Sequence, residues 1–111
     1  MRITRLDLSS YDLEAMLIFI YGYQETLKFP EIFPEHTTRY DAVLAHLKMK
    51  FQVVAKSAFP LLLTDLEMVV MDMVMEGFIR LIERSIPTPK REEIIAPVVR
   101  FRPLFAVKWP H

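Results

Sequence analysis

The chain reads as a predominantly helical α+β domain, and three observations carry that reading. Three long proline-free stretches each open with a helix-start signal, their apolar residues recur at helical spacing, and both ends of the chain alternate with period two. The expected layout is one small domain over 1–111: a strand over 1–8, a three-helix unit over 9–86, a linker over 87–97 and an amphipathic strand over 98–109.

A chain of 111 residues has room for a single core. The hydrophobic fraction of 52% is high for a soluble protein, while 25% of residues remain charged. Lys+Arg 14 and Asp+Glu 14 cancel, so overall charge favours neither nucleic acid nor an acidic membrane. A net charge near zero also gives little protection against self-association. Cysteine is absent, which excludes disulfides, thiolate nucleophiles and cysteine-based zinc sites. The opening RITRLDL lacks the unbroken apolar core and cleavage site of a secretory signal. No apolar run approaches the roughly 20 residues that span a bilayer, and Asp72 and Glu76 interrupt the most apolar region. The expectation is a soluble protein of the cytoplasm or nucleus with no membrane partner.

The elements follow in order. Arg2–Leu8 places Thr4, Leu6 and Leu8 on one side of a strand. In LSSYDLE, Ser9 is an N-cap, Asp12 can return its hydrogen bond, and Leu8 and Leu13 occupy the positions of a hydrophobic staple. Leu13, Met16, Leu17, Ile20 and Leu27 then recur at helical spacing, with Ile18, Phe19, Tyr21 and Tyr23 off that stripe. A helix apolar on most of its circumference is central or is covered by another chain. What covers the unbroken apolar run Ala15–Tyr21 is therefore a question about function.

In the second window, Thr38 and Asp41 resemble a capping pair. Tyr40, Val43, Leu44, Leu47, Phe51, Val54 and Ala58 form one stripe, opposite Asp41, Lys48, Gln52 and Lys56. The third window has a capping box in Thr64 and Glu67 and a staple in Leu63 and Met68. Beyond it the polar positions shrink to a strip through Asp72, Glu76 and Arg80, and Met68, Met71, Met73 and Met75 crowd together. A central core helix is the first reading, and an adaptable methionine-lined docking surface the second. At the C-terminal end, Val99, Phe101, Phe105, Val107 and Trp109 alternate with Val98, Arg100, Arg102, Leu104, Ala106 and Lys108. Pro103 makes this an edge or broken strand, expected to pair with Arg2–Leu8.

Chemistry is sparse. His36, His46 and His111 have no second ligand at metal-binding spacing and read as solvated or locally bonded side chains. Asp72 and Glu76, at i and i+4, read as part of a solvated stripe balanced by Arg80 rather than as an acid–base pair. Gly22 and Gly77 are isolated inside helical windows, so they form no phosphate loop; close helix packing or a bend is expected instead. Lys90, Arg91, Arg100, Arg102 and Lys108 make the C-terminal quarter basic, interleaved with Phe101 and Trp109, but alternation separates the aromatics from the arginines.

Read in order, the residues from Ile3 to about Phe78 resemble the second half of a BTB/POZ domain, particularly the divergent fungal type. LDLSSYDLEAMLIFIYG is similar to the segment where a strand leads into a helix closing on Phe19-Ile20-Tyr21-Gly22. KFQVVAKSAFPLLL is similar to the next helix and turn, with Phe51, Lys56, Pro60 and Leu62 in step. The intervening KFPEIFPEHTT suits the lengthened connection of fungal members. Val54 replaces a small residue of that pattern, Ser57 replaces an aromatic one, and the chain holds no counterpart of the first half. The resemblance implies protein–protein interaction rather than catalysis, in a nuclear or cytosolic eukaryotic setting. It does not carry over the family's usual dimer mode, whose residues are not present.

The function expected is a non-enzymatic interaction module with no cofactor and no metal. It would self-associate, most simply as a homodimer, or dock on a partner protein. Its expected surface is Phe19, Tyr21, Tyr23, Met68, Met71, Met75, Phe78, Phe101, Phe105 and Trp109. The alternative is a small nucleic-acid-binding protein that uses the basic C-terminal strand.

Overall fold

The structure, a computed structural model, describes residues 2–57, 59–87 and 89–106. Its elements are β1 (Ile3–Leu6), α1 (Ser10–Thr26), α2 (Asp41–Ala55), β2 (Leu61–Thr64), α3 (Asp65–Ser85), α4 (Lys90–Phe101) and a 3-10 turn (Arg102–Phe105). The mostly helical α+β class holds, with four helices among the described residues rather than three.

Two capping boxes set the frame. Ser9 Oγ accepts the Asp12 N–H at 3.1 Å and the Asp12 carboxylate accepts the Ser9 N–H at 3.2 Å, which starts α1. Thr64 Oγ1 accepts the Glu67 N–H at 3.2 Å and the Glu67 carboxylate accepts the Thr64 N–H at 2.8 Å, which starts α3. Each box satisfies two backbone donors that a helix end leaves orphaned. α2 begins differently: Thr38 offers Asp41 its backbone carbonyl at 3.1 Å, and no side chain caps the helix.

α3 is the central element. It buries Met68, Val70, Met71, Val74, Met75 and Phe78, and packs against α1, α2, α4 and the 3-10 turn. α1 answers with Leu13, Met16, Phe19, Ile20 and Tyr23. The Phe19 ring centre lies 5.0 Å from that of Phe78 and 6.4 Å from that of Phe101. The run Ala15–Tyr21 is thus covered from within the chain, and only Ile18 and Tyr21 of that run stay exposed. Close approach of α1 and α3 is reciprocal. A β-carbon on Gly22 would meet Phe78 Cδ2 at 2.7 Å, and one on Gly77 would meet Tyr23 Cδ2 at 2.5 Å.

The C-terminal strand and the linker before it are corrected. Residues from Lys90 to Phe101 form α4, and the chain then tightens into the 3-10 turn. Val98, Phe101 and Phe105 are buried and Ile94 partly so, at i, i+4, i+7 and i+11 from Ile94, which is one stripe of a helix. Alternation would bury Val99, which is 55% exposed. Pro97 sits inside α4, where the missing N–H and the ring cost about 3 kcal/mol. Burial of Val98, Phe101 and Phe105 outweighs that, at about 1.5–3 kcal/mol for each side chain. Pro103 stands at the start of the 3-10 turn, where no donor is needed. The turn is tied down by Arg102, whose Nε and Nη2 donate to the two Asp72 carboxylate oxygens at 3.0 and 3.2 Å.

The partner of β1 is therefore β2 and not the C-terminal segment. The two pair antiparallel, Ile3 opposite Thr64 and Leu6 opposite Leu61. Leu61 and Leu63 point into the core while Leu62 faces out. Ala58 of the expected α2 stripe, and Val107, Lys108, Trp109 and His111, lie outside the described residues.

Candidate functional site

The expected interaction surface is relocated by the packing. Phe19, Tyr23, Met68, Met71, Met75, Phe78, Phe101 and Phe105 are core side chains, none more than 7% exposed, because α1, α3 and α4 turn these faces toward one another. A side chain closed inside its own chain offers nothing to a partner. Tyr21 stays on the surface, 45% exposed, with Lys48 Nζ 4.7 Å from its ring centre. Trp109 lies outside the described residues.

Exposed apolar surface gathers elsewhere. Met49 and Val53 from α2 and Phe59 and Leu62 from the turn and β2 line a shallow groove of about 440 Å³, with His46 and Lys50 at its edge. Phe59 is 70% exposed. The outward face of the sheet continues this surface, since Ile3 lies diagonally across from Leu62 on the same side of the pleat. Lys50 ties β2 to the start of α3: its ammonium donates to the Leu62 carbonyl at 2.9 Å and to the buried Glu67 carboxylate at 2.7 Å. Burial raises the Glu67 pKa, but the Lys50 and Thr64 donors outweigh it and hold the group below its ordinary value. Among the described residues the sheet has two strands, so neither outer edge meets a further strand; on β2 the Leu62 carbonyl is taken by Lys50, and β1 has β2 as its one strand neighbour.

A second, more polar site shares no lining residue with the groove and is built on α1, the connection after it and α3. The chain after α1 folds back so that His36 enters a ring stack, 4.7 Å from Tyr23 and 5.1 Å from Phe33 between ring centres. The His36 side chain is only 4% exposed. Its tautomer is set by neighbours. Thr26 donates its hydroxyl proton to the Tyr23 carbonyl at 2.6 Å, so its oxygen accepts from His36 Nδ1. Nε2 is left with a free lone pair and no hydrogen-bond partner. It faces Gly77, whose β-carbon would lie 3.2 Å away, and Glu35 Oε1 at 4.0 Å. Burial holds the imidazole below its ordinary pKa and hence neutral. Beside it opens a cleft of about 420 Å³ lined by Tyr23, Glu35, His36, Met73, Glu76, Gly77, Arg80 and Arg84, so two carboxylates face two guanidinium groups.

The cleft charges are paired. Arg84 Nη1 lies 2.9 Å from Glu35 Oε1 and donates to the Ile32 carbonyl at 2.9 Å, while its guanidinium carbon sits 5.0 Å over the Phe33 ring. Glu35 is held below its usual pKa by its own backbone N–H and by Arg84. Arg80 pairs with Glu76 at 3.5 Å. Tyr23 Oη accepts the Thr37 N–H at 3.1 Å, and burial raises its pKa. Nothing in the spacing of the three histidines marks this site. The one trace of it in the sequence is a glycine, Gly77, inside a long helix beside the polar strip of Asp72, Glu76 and Arg80.

Asp72 and Glu76 act structurally, through Arg102 and Arg80. Of the basic C-terminal residues, Arg102 is taken by Asp72 and Arg91 donates to the Ile86 carbonyl at 2.9 Å, so they do not line one strand. Among the described residues no group of three or more His, Asp or Glu side chains could hold a metal ion, and no helix is long and apolar enough to cross a membrane. Comparison with protein-family models, curated proteins and solved structures finds no match to this chain.

Proposed function

We propose that the protein is a non-catalytic protein–protein interaction module that self-associates, BTB/POZ-like in kind, working without a cofactor in the cytoplasm or nucleus. The observation that carries the reading is the open β1 edge beside the exposed apolar side chains Ile3, Met49, Val53, Phe59 and Leu62. An unpaired edge presents backbone donors and acceptors that another strand can satisfy. The occupant proposed is a second copy. Antiparallel pairing of β1 with its symmetry mate gives a closed two-fold dimer with a four-stranded sheet. The balance of 14 basic and 14 acidic residues leaves little net repulsion between copies. The resemblance of residues 3–78 to the second half of a BTB/POZ domain supports the same class of function.

Sedimentation at micromolar concentration tests this. The expected mass is that of a dimer, and Ile3→Lys or Leu62→Lys should shift it to a monomer with little change in melting temperature. A wild-type chain that sediments as a monomer overturns the reading. Dimers that survive both substitutions remove this face from it.

A further inference from the structure

The cleft beside His36 holds a buried ring nitrogen without a hydrogen-bond partner. Glu35 Oε1 lies between the Arg84 guanidinium, at 2.9 Å, and His36 Nε2, at 4.0 Å. An anionic oxygen thus stands near the buried nitrogen, held by an arginine that bonds the Ile32 carbonyl and lies over the Phe33 ring. Glu35 does not finish the arrangement. An ionised carboxylate carries no proton, so it cannot donate to the Nε2 lone pair, and that atom stays unpartnered. A buried acceptor without a donor costs free energy in the empty protein and becomes a specific contact once a donor arrives.

We propose that this cleft binds a small phosphate in singly protonated form, inorganic phosphate or a phosphomonoester, displacing the Glu35 carboxylate from Arg84. Phosphate combines the two features that the site asks for. Its anionic oxygens take the Arg84 N–H groups that Glu35 vacates, the Ile32 carbonyl keeping its own bond to Arg84, and its P–OH donates to His36 Nε2; Arg80 stays with Glu76 at 3.5 Å. The Nδ1–Thr26–Tyr23 relay fixes the imidazole in the accepting tautomer, and the ring stack fixes its plane. Sulfate has the same shape and charged oxygens but no proton at neutral pH, so it cannot make the histidine contact. At about 420 Å³ the cleft lies at the small end of ligand sites and has room for the organic part of a small ester. Glu35 is 43% exposed on its side chain, so water can take its carboxylate once the pair with Arg84 is broken. This inference is independent of the self-association reading.

Calorimetric or NMR titration of the full chain with inorganic phosphate, glycerol 3-phosphate and sulfate, at matched ionic strength, tests it. Saturable phosphate binding is expected, at least about tenfold tighter than sulfate, the worth of one hydrogen bond to a charged group. Glu35→Ala should tighten phosphate binding several-fold, because the competing internal carboxylate is gone. Arg84→Gln should abolish it. Both substitutions break the same ion pair, so loss of folding cannot produce opposite effects. If glycerol 3-phosphate binds more tightly than inorganic phosphate, the site is one for monoesters; the reverse order assigns it to the free ion. No saturable binding of either phosphate to wild type and Glu35→Ala overturns the proposal, as does sulfate binding equal to phosphate.

Discussion

Gly77 on α3 lies directly against the Tyr23 ring of α1: a β-carbon at position 77 would stand 2.5 Å from Tyr23 Cδ2 and 3.2 Å from His36 Nε2. Tyr23 is 1% exposed and cannot withdraw. Alanine in a helix is worth about 1 kcal/mol over glycine, yet overpacking a rigid core costs about 1–3 kcal/mol. Gly77→Ala is therefore expected to destabilise the protein and to perturb the Tyr23 and His36 resonances together. Urea unfolding with NMR checks both, and an unchanged or higher midpoint would place the helices further apart.

Pro97 separates the helical and extended readings of the C-terminal segment. Inside α4 it removes a backbone hydrogen bond and crowds the preceding turn. Pro97→Ala is expected to raise stability by about 2 kcal/mol, the helix gain of about 3 kcal/mol less about 0.4–1 kcal/mol for the greater freedom of the unfolded chain. A loss of stability would argue that this segment is not helical in solution.

Phe105 and Met75 test the core that unites α3 with the end of the chain. Phe105 is 1% exposed and Met75 0%. Phe105→Ala should cost about 3–5 kcal/mol, and Met75→Asp should prevent folding, because an unpaired buried charge costs several kcal/mol. Gln52→Glu, on the exposed face of α2, should stay within about 0.5 kcal/mol. Thermal melts of the three variants that coincide would contradict the placement of these faces.

His36 makes stability depend on pH. Burial lowers its pKa in the folded protein, with Arg84 and Arg80 acting in the same direction and Glu35 opposing them. In the unfolded chain it titrates near its free value of about 6.5. The unfolded state therefore binds the proton first, and stability falls as pH drops below about 6.5 toward the folded pKa. Glu67 acts lower down: its pKa is depressed on folding, so its contribution is present above about 4.3 and lost as pH falls from there. Urea midpoints for His36→Gln should be flatter than wild type as pH falls below about 6.5 and should still fall where the carboxylates titrate. Parallel profiles for the two proteins would mean that the imidazole is not buried.

The starts of α1 and α3 were legible in the sequence because a capping box is a local event: Ser9 with Asp12, and Thr64 with Glu67, satisfy each other across one turn. The buried face of α2 was legible for a similar reason, since Leu44, Leu47 and Phe51 share a period that only a helix puts on one side. The C-terminal segment was not. Phe101 and Phe105 are four residues apart, which a strand and a helix both place on one face, and the deciding contacts are with α3, through Asp72 and Arg102, far away in the chain. β2 is too short to show a period, and its pairing with β1 joins residues that only the folded chain brings together. The His36 cleft is decided in the same way. Its tautomer is set by Thr26 on α1, its anion by Glu35 in the connection, and its cation and floor by Arg84 and Gly77 on α3. Periodicity records which face of an element avoids water; which element meets that face, and which polar atom is left without a partner, follows from packing alone.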